Sequence, residues 1–229
     1  MQVPLDADAR HDLDAMAAAV TDRTRLLIVC TPNNPTGPSV RADELRAFLR
    51  SLPEDLLVVL DEAYLEFVVA DDAPDALAIY REFPNVVVLR TFSKAYGLAG
   101  LRVGYALARP RITTALRKAA TPFGVSDMAQ KAAIASIAAF DELQERVVAL
   151  VAERRRVVDA LGEAGVDIPD TQANFVWLPL GERALEFAAF ADENGLVVRP
   201  FDGDGVRCTI AEVEANDRLI DVVTRFYAG

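Results

Sequence analysis

With 229 residues, 52% of them hydrophobic and 26% charged, the chain has an ordinary globular composition and is long enough to bury one large core or two smaller ones. Its formal net charge of -11 and pI near 4.6 argue against a nucleic-acid surface or an anionic membrane as the main partner, because both select for basic patches. One histidine and two cysteines leave too few ligands and nucleophile partners for a His-based metal site, a Ser-His-Asp triad or a disulfide framework.

The first residues, MQVPLDADAR, do not read as a signal peptide, and no apolar run approaches the roughly 20 residues of a membrane span, so a cytoplasmic protein is expected. His11 stands in a polar stretch before a helix and reads as a surface residue. Short β-branched runs then follow: LLIVC (26–30), LLVVL (56–60), VVVLR (86–90) and VGYALA (103–108). Continuous runs of this kind suit strands buried on both faces of a mainly parallel sheet. The helical spacing of SVRADELRAFLRSL between the first two marks a βα unit, and the first three runs predict an α/β layer fold with flanking helices. Cys30 and Cys208 lie inside apolar runs and are expected to be buried thiols.

After Pro122 the character changes. Residues 126–162 are rich in Ala, Glu, Arg and Leu, with almost no helix breakers before Gly162, and predict a long helix or a helix pair. The tail predicts a strand in NFVWLPL (174–180), a helix over 182–193, strands at LVVR and VRCTIA, and a closing helix from about 213 to 227. This describes a smaller α+β domain. The division expected is residues 1–154 for a major domain including a long connecting helix, and 155–229 for the small one.

Three segments are placed where strands of the sheet end, which is where ligands bind in open α/β folds. They are TPNNPTG (31–37), DEAY (61–64) and TFSKAYGLAGLRVGY (91–105). Each alone has an ordinary explanation as a turn, a helix start or a solvated lysine. Their order, each directly after a buried strand, points to one site.

Together with QANFVWLPLG and VVRPFDGDGVRCTIA further on, these motifs resemble the fold-type I aminotransferases, in the branch of the histidinol-phosphate and aromatic amino acid aminotransferases. The resemblance runs from HDLDAM to the final helix. It implies pyridoxal 5'-phosphate as cofactor, amino acid and 2-oxoacid as substrates, and a homodimer for the full-length enzyme. By the same resemblance Lys94 is the Schiff-base lysine and Asp61 the carboxylate that keeps the ring nitrogen protonated. Asn34 and Tyr64 are donors to the phenolic oxygen, and Thr91, Ser93 and Arg102 hold the phosphate. Arg207, assisted by Asn174, matches the residue for the substrate α-carboxylate, because a planar guanidinium makes two parallel charge-assisted bonds. By the same resemblance Arg199 stands where an arginine can meet the substrate phosphate in the histidinol-phosphate enzymes, a role it need not have in related ones.

Segments such as TPFGVSDMAQ are closer to the aromatic, or phenylalanine, enzymes than to dedicated histidinol-phosphate ones. The first expectation is therefore an aromatic amino acid aminotransferase, with a histidinol-phosphate aminotransferase as the alternative. A phosphothreonine decarboxylase and the aminotransferase-like sensor domain of a transcription regulator are more distant readings. The family's chain begins well before the equivalent of Gln2, so its N-terminal part, including the loop that completes the phosphate site, is expected to be absent here.

Overall fold

The run LLIVC forms β1 (Leu26–Cys30), and the two apolar runs after it form β2 (Leu57–Asp61) and β3 (Val86–Thr91), each parallel to its neighbour. The fourth run forms β4 (Gly104–Leu107), antiparallel to β3, and the strand order follows the sequence. This computed structural model describes residues 1–229. Between the strands lie α2 (Ala42–Ser51) and α3 (Ala76–Glu82), after an opening helix α1 (Leu13–Ala18). α3 begins where the Asp75 carboxylate accepts from the Leu77 and Ala78 amides, satisfying two donors that the first turn leaves free.

Leu45, Phe48 and Leu49 of α2 and Ile79 of α3 meet Val29, Val58, Leu60, Val86 and Val88 in one buried cluster. Only β2 and β3 are buried on both faces. In β1 the burial alternates, and Leu26 and Ile28 are about half exposed, at 49% and 51%. The expectation of a strand covered on both sides is thus corrected for β1, where a helix layer covers one face alone, and for β4, the opposite edge strand, where Gly104, Tyr105 and Ala106 are exposed.

Past α4 (Pro110–Ala119), the Ala-rich region is a helix pair, α5 (Asp127–Ala138) and α6 (Phe140–Glu163). A second sheet follows, made of β5 (Phe175–Leu178), β6 (Arg199–Phe201) and β7 (Gly205–Thr209) in the order β5-β7-β6, all antiparallel. The segment LVVR is mostly not a strand: Leu196 instead donates to the Ala191 carbonyl, closing the end of α7 (Ala184–Glu193), and pairing with β7 begins only at Arg199. Val197, expected in the strand, is 87% exposed.

The closing helix α8 (Val213–Ala228) packs with α6 and α7 over this sheet, burying Val157, Leu161, Phe187, Leu219 and Val222 completely or nearly so. Each such side chain contributes about 1.5–3 kcal/mol by leaving water, and Leu161→Ala would cost about 2–5 kcal/mol. α6 supplies residues to this core and, through Leu143 and Val147, to a smaller buried cluster around Tyr64 and Phe175. It therefore runs straight through the expected boundary at residue 154. No helix is long and apolar enough to cross a membrane.

Candidate active site

The parallel register aligns Cys30 with Asp61 and Asp61 with Leu89, so the three motif segments leave the sheet at a common edge. The first, TPNNPTG, is laced internally: the Asn33 side-chain amide donates to Thr36 Oγ1 at 2.7 Å, and the Gly37 amide donates to the Asn33 carbonyl at 2.8 Å. Thr36 Oγ1 in turn donates to the Ala9 carbonyl at 2.8 Å. Asn34 is left exposed at the tip.

DEAY turns sharply after β2. The Asp61 carboxylate accepts from the Ala63 amide at 3.1 Å, and a 3-10 turn over Leu65–Phe67 buries Tyr64. Burial pushes the Asp61 carboxyl above its usual range, while the Ala63 amide and the Lys94 charge draw it back only in part. Behind it, on the opposite face of the strand, Glu62 is 2% exposed and pairs with Arg90 Nε at 2.9 Å. Burial raises the Glu62 pKa more than Arg90 lowers it. For Arg90 burial works the other way, and the Glu62 carboxylate and the Tyr105 hydroxyl outweigh it, so the guanidinium is held above its ordinary value.

After β3 the chain folds back on itself. Phe92 donates to Val103 and Leu98 donates to Phe92, leaving Lys94 exposed on the loop between them. The Ser93 amide donates to Thr91 Oγ1 at 3.0 Å, and Arg102 Nη1 donates to the Ala99 carbonyl at 2.8 Å with Ser93 Oγ at 3.5 Å. Arg102 sits in the left-handed region, at φ 52°.

Asp61, Thr91, Ser93, Lys94 and Arg102 line one cavity of about 360 Å³, with Ala63, Leu89 and Arg90 completing the wall. That is within the usual range for small-molecule sites, about 300–1,000 Å³. Its chemistry is divided. A carboxylate, two hydroxyls and two guanidinium groups line it, and the Lys94 amine has no carboxylate partner among the salt bridges.

The remaining expected residues form a stack beside this cavity. The Lys94 amine lies 5.2 Å from the centre of the Tyr64 ring. Tyr64 meets Phe175 edge-on with centroids 5.2 Å apart, and the Arg207 guanidinium lies 5.1 Å above the Phe175 ring. Arg207 Nη1 donates to Asn34 Oδ1 at 2.7 Å, while its Nε is buried without a partner. Asn174, partly exposed, precedes Phe175 and accepts from the Ile210 amide through its carbonyl. Arg199 pairs with Arg207 in the β6–β7 register, so both guanidinium side chains leave the same face of the sheet, and Arg199 is exposed over Phe201 at 5.4 Å.

Two expectations change. Cys30 is only partly buried, because β1 is an edge strand; burial and the nearby Asp61 push its thiol up to about 11. His11 is partly buried rather than a free surface residue, and its Nε2 accepts from the Cys30 amide at 3.2 Å. Burial lowers its pKa, which suits a neutral ring acting as acceptor. Sequence reasoning also passed over Glu62, Arg90, Arg154 and Gln172. Arg154 had a signal: it occupies the apolar stripe of α6, in line with Leu143, Val147, Leu150, Val157 and Leu161.

Known proteins share this fold and sequence. The family model described as aminotransferase class I and II matches residues 1–223. An aromatic amino acid aminotransferase of Streptomyces avermitilis is 63% identical over 226 residues, covering 99% of this chain and 63% of its own length. That of Streptomyces coelicolor is 61% identical, with the same coverage. The chain thus spans a little under two thirds of the length of these curated relatives. Among solved structures, histidinol-phosphate aminotransferase from Sinorhizobium meliloti, in complex with pyridoxal-5'-phosphate, superposes with a TM-score of 0.87 at 33% identity, covering 99% of this chain and 65% of that one. A fold built to this plan, with a family match over nearly its whole length, places the chain in the class I and II aminotransferase family.

Proposed function

We propose that this chain is the lysine-bearing and carboxylate-binding part of a pyridoxal-phosphate-dependent aminotransferase that moves an amino group between an aromatic amino acid and a 2-oxoacid. The observation that carries the reading is the Lys94 amine, without a carboxylate partner, in one cavity with the Asp61 carboxylate and the Thr91, Ser93 and Arg102 donors. That donor set fits a ligand with an aldehyde, a basic ring nitrogen and a phosphate. Such a cofactor, when bound, supplies a carbonyl for amines and a ring that accepts the electrons of a broken Cα bond.

The side chains take the following parts. Lys94 would hold the cofactor through its amine, and the same amine would carry the proton that the substrate Cα gives up. Asp61 keeps a proton on the ring nitrogen, because a carboxylate beside a basic nitrogen favours its charged form. Thr91, Ser93 and Arg102 bind phosphate. Tyr64 and Asn34 donate to the phenolic oxygen; the Asn34 carbonyl oxygen is already taken by Arg207, which leaves its amide N–H groups for that role. Arg207, with Asn174, binds the substrate α-carboxylate.

The aromatic substrate is supported by 63% and 61% identity to aromatic amino acid aminotransferases. A second reading, histidinol phosphate as donor, is favoured by Arg199 standing beside Arg207 on the same sheet face. The division at residues 154 and 155 is proposed from the separate cores of the two sheets. A homodimer is proposed from the outward apolar residues of α5, Met128, Ile134 and Ile137, and a reducing, cytoplasmic setting from two free thiols. Borohydride reduction in the presence of pyridoxal phosphate, followed by peptide mapping, should place the pyridoxyl group on Lys94. Initial rates with phenylalanine should exceed those with histidinol phosphate; the reverse preference overturns the aromatic assignment.

A further inference from the structure

One buried cation serves no role in the site as described. Arg154, on the inner face of α6, is 4% exposed and has no carboxylate partner within salt-bridge distance. Its Nη1 donates to two carbonyls at once, Phe67 at 3.0 Å and Ala173 at 2.8 Å. Burial draws its pKa down to about 10, so it remains charged at neutral pH.

Those two carbonyls belong to segments far apart in sequence. Phe67 closes the 3-10 turn that begins at Tyr64, whereas Ala173 precedes Asn174 and Phe175 at the start of β5. Gln172 makes the same connection from the other side. Its Oε1 accepts from the Val69 and Ala70 amides at 2.9 and 3.1 Å, and its own amide donates to the Gly37 carbonyl at 2.9 Å, behind Asn34. Its side-chain N–H donates to Asp170 at 3.1 Å. The strap 172–174 is therefore tied to the Asn34 loop and the Tyr64 loop, and it leads directly into the strand that faces Arg207.

We propose that Arg154 and Gln172 are positioning residues, a clasp that fixes the distance between the Tyr64 and Asn34 loops and the Arg207 strand, and thereby the grip on the substrate carboxylate. The proposal rests on the reading of Arg207 as the carboxylate residue. Neither clasp residue lines the Lys94 cavity; both border a separate one of about 180 Å³. Their effect reaches Arg207 through Phe175, which touches Tyr64 on one side and lies under the guanidinium on the other. A charge-assisted bond pair holds its strength only over a few tenths of an ångström, and a displacement of about 1 Å can cost a hundredfold in positioning. The reason for an arginine here is geometric: one donor nitrogen must satisfy two buried carbonyls that no neighbouring amide reaches.

Trp177 is the sole tryptophan and stands opposite Arg207 in the β5–β7 register, so its fluorescence reports carboxylate binding without turnover. Titration of the protein with 3-phenylpropanoate, which has the carboxylate and ring but no amine, should give saturable binding that Arg207→Gln abolishes. Arg154→Met, equal in bulk but without donors, should weaken binding about tenfold or more, and Arg154→Lys should recover most of that loss. Gln172→Ala should weaken it similarly and leaves the buried cation in place, should Arg154→Met not fold. Binding by Arg154→Met or Gln172→Ala as tight as the parent's, with Arg207→Gln still failing to bind, overturns the clasp alone. Equal weakening of the Met and Lys variants, in step with their thermal midpoints, also overturns it in favour of a purely structural arginine. Binding that survives Arg207→Gln, or no binding by the parent, overturns the carboxylate site and the clasp's purpose with it.

Discussion

Arg207 Nη1 donates to Asn34 Oδ1 at 2.7 Å, joining a residue of the second sheet to the loop after the first strand of the first. This bond orients both partners: it holds the guanidinium fork over Phe175 and turns the asparagine N–H groups away from it. Replacing Arg207 by lysine keeps the charge but not the two-pronged contact. A charge-assisted bond is worth about 1.5–3 kcal/mol, so Arg207→Lys should raise KM for every amino donor by roughly 10- to 150-fold. Steady-state kinetics with several donors checks it, and a loss confined to one donor would contradict a generic carboxylate role.

Asp61 is held in the folded chain with its pKa raised, burial being the main cause. For such a group the stabilising contribution is complete below the unfolded-state pKa, near 3.9, and is lost as the pH rises through the higher folded value. At neutral pH its charge therefore opposes folding of the cofactor-free chain. Asp61→Asn, which retains an oxygen for the Ala63 amide, should raise the thermal midpoint without cofactor while abolishing most transamination. For a chain of this size about 1 kcal/mol corresponds to roughly 2–4 °C. A lower midpoint for the Asn variant than for the parent, measured at pH 7 by thermal unfolding, would show that the Asp61 charge is stabilised rather than penalised in the folded chain.

The Glu62–Arg90 pair supports Asp61 from behind, and its buried partner is the vulnerable one. Arg90→Met leaves an uncompensated carboxylate and should cost about 3–5 kcal/mol, whereas the double variant Glu62→Met, Arg90→Met should regain most of it. Denaturant unfolding of the two single variants and the double decides the matter. Additive losses would mean that the pair is not coupled.

Gly37, at φ 103°, lies in the left-handed region, and a Cβ there would stand 2.6 Å from Thr171 Oγ1. Both the backbone conformation and the space exclude a side chain. Gly37→Ala should therefore destabilise by more than about 1 kcal/mol and also disturb the adjoining bond from Gln172. Loss of 3-phenylpropanoate binding together with a lowered thermal midpoint is the expected pair of outcomes.

Local chemistry explains what was readable beforehand. The β-branched runs became strands and Lys94, Asp61, Thr91, Ser93 and Arg102 share one cavity, because each is fixed by a few residues of strand and turn around it. Contacts between distant segments were not readable. Nothing near Gln172 signals that its side chain accepts from Val69 and Ala70, roughly a hundred residues earlier. In ERRR, which of the three arginines turns inward depends on the phase of α6, and only Arg154 falls on its apolar stripe. LVVR looked like a strand from β-branched content, but closure of α7 at Gly195 claimed its first residues.

The 24 residues of α6 make a rod about 36 Å long. Its first half is gripped by the cluster around Tyr64, and its second half is part of the core beneath the second sheet. A rod embedded at both ends resists stretching and shearing, so the soft motion left to it is a pivot near Arg154. About such a pivot, a tilt of about 5° carries the Phe140 end, roughly 21 Å away, by about 2 Å. A shift of that size exceeds the range over which a 2.7 Å hydrogen bond survives, so a tilt of α6 passed on through the Tyr64 cluster is enough to make or break the contact between Arg207 and Asn34.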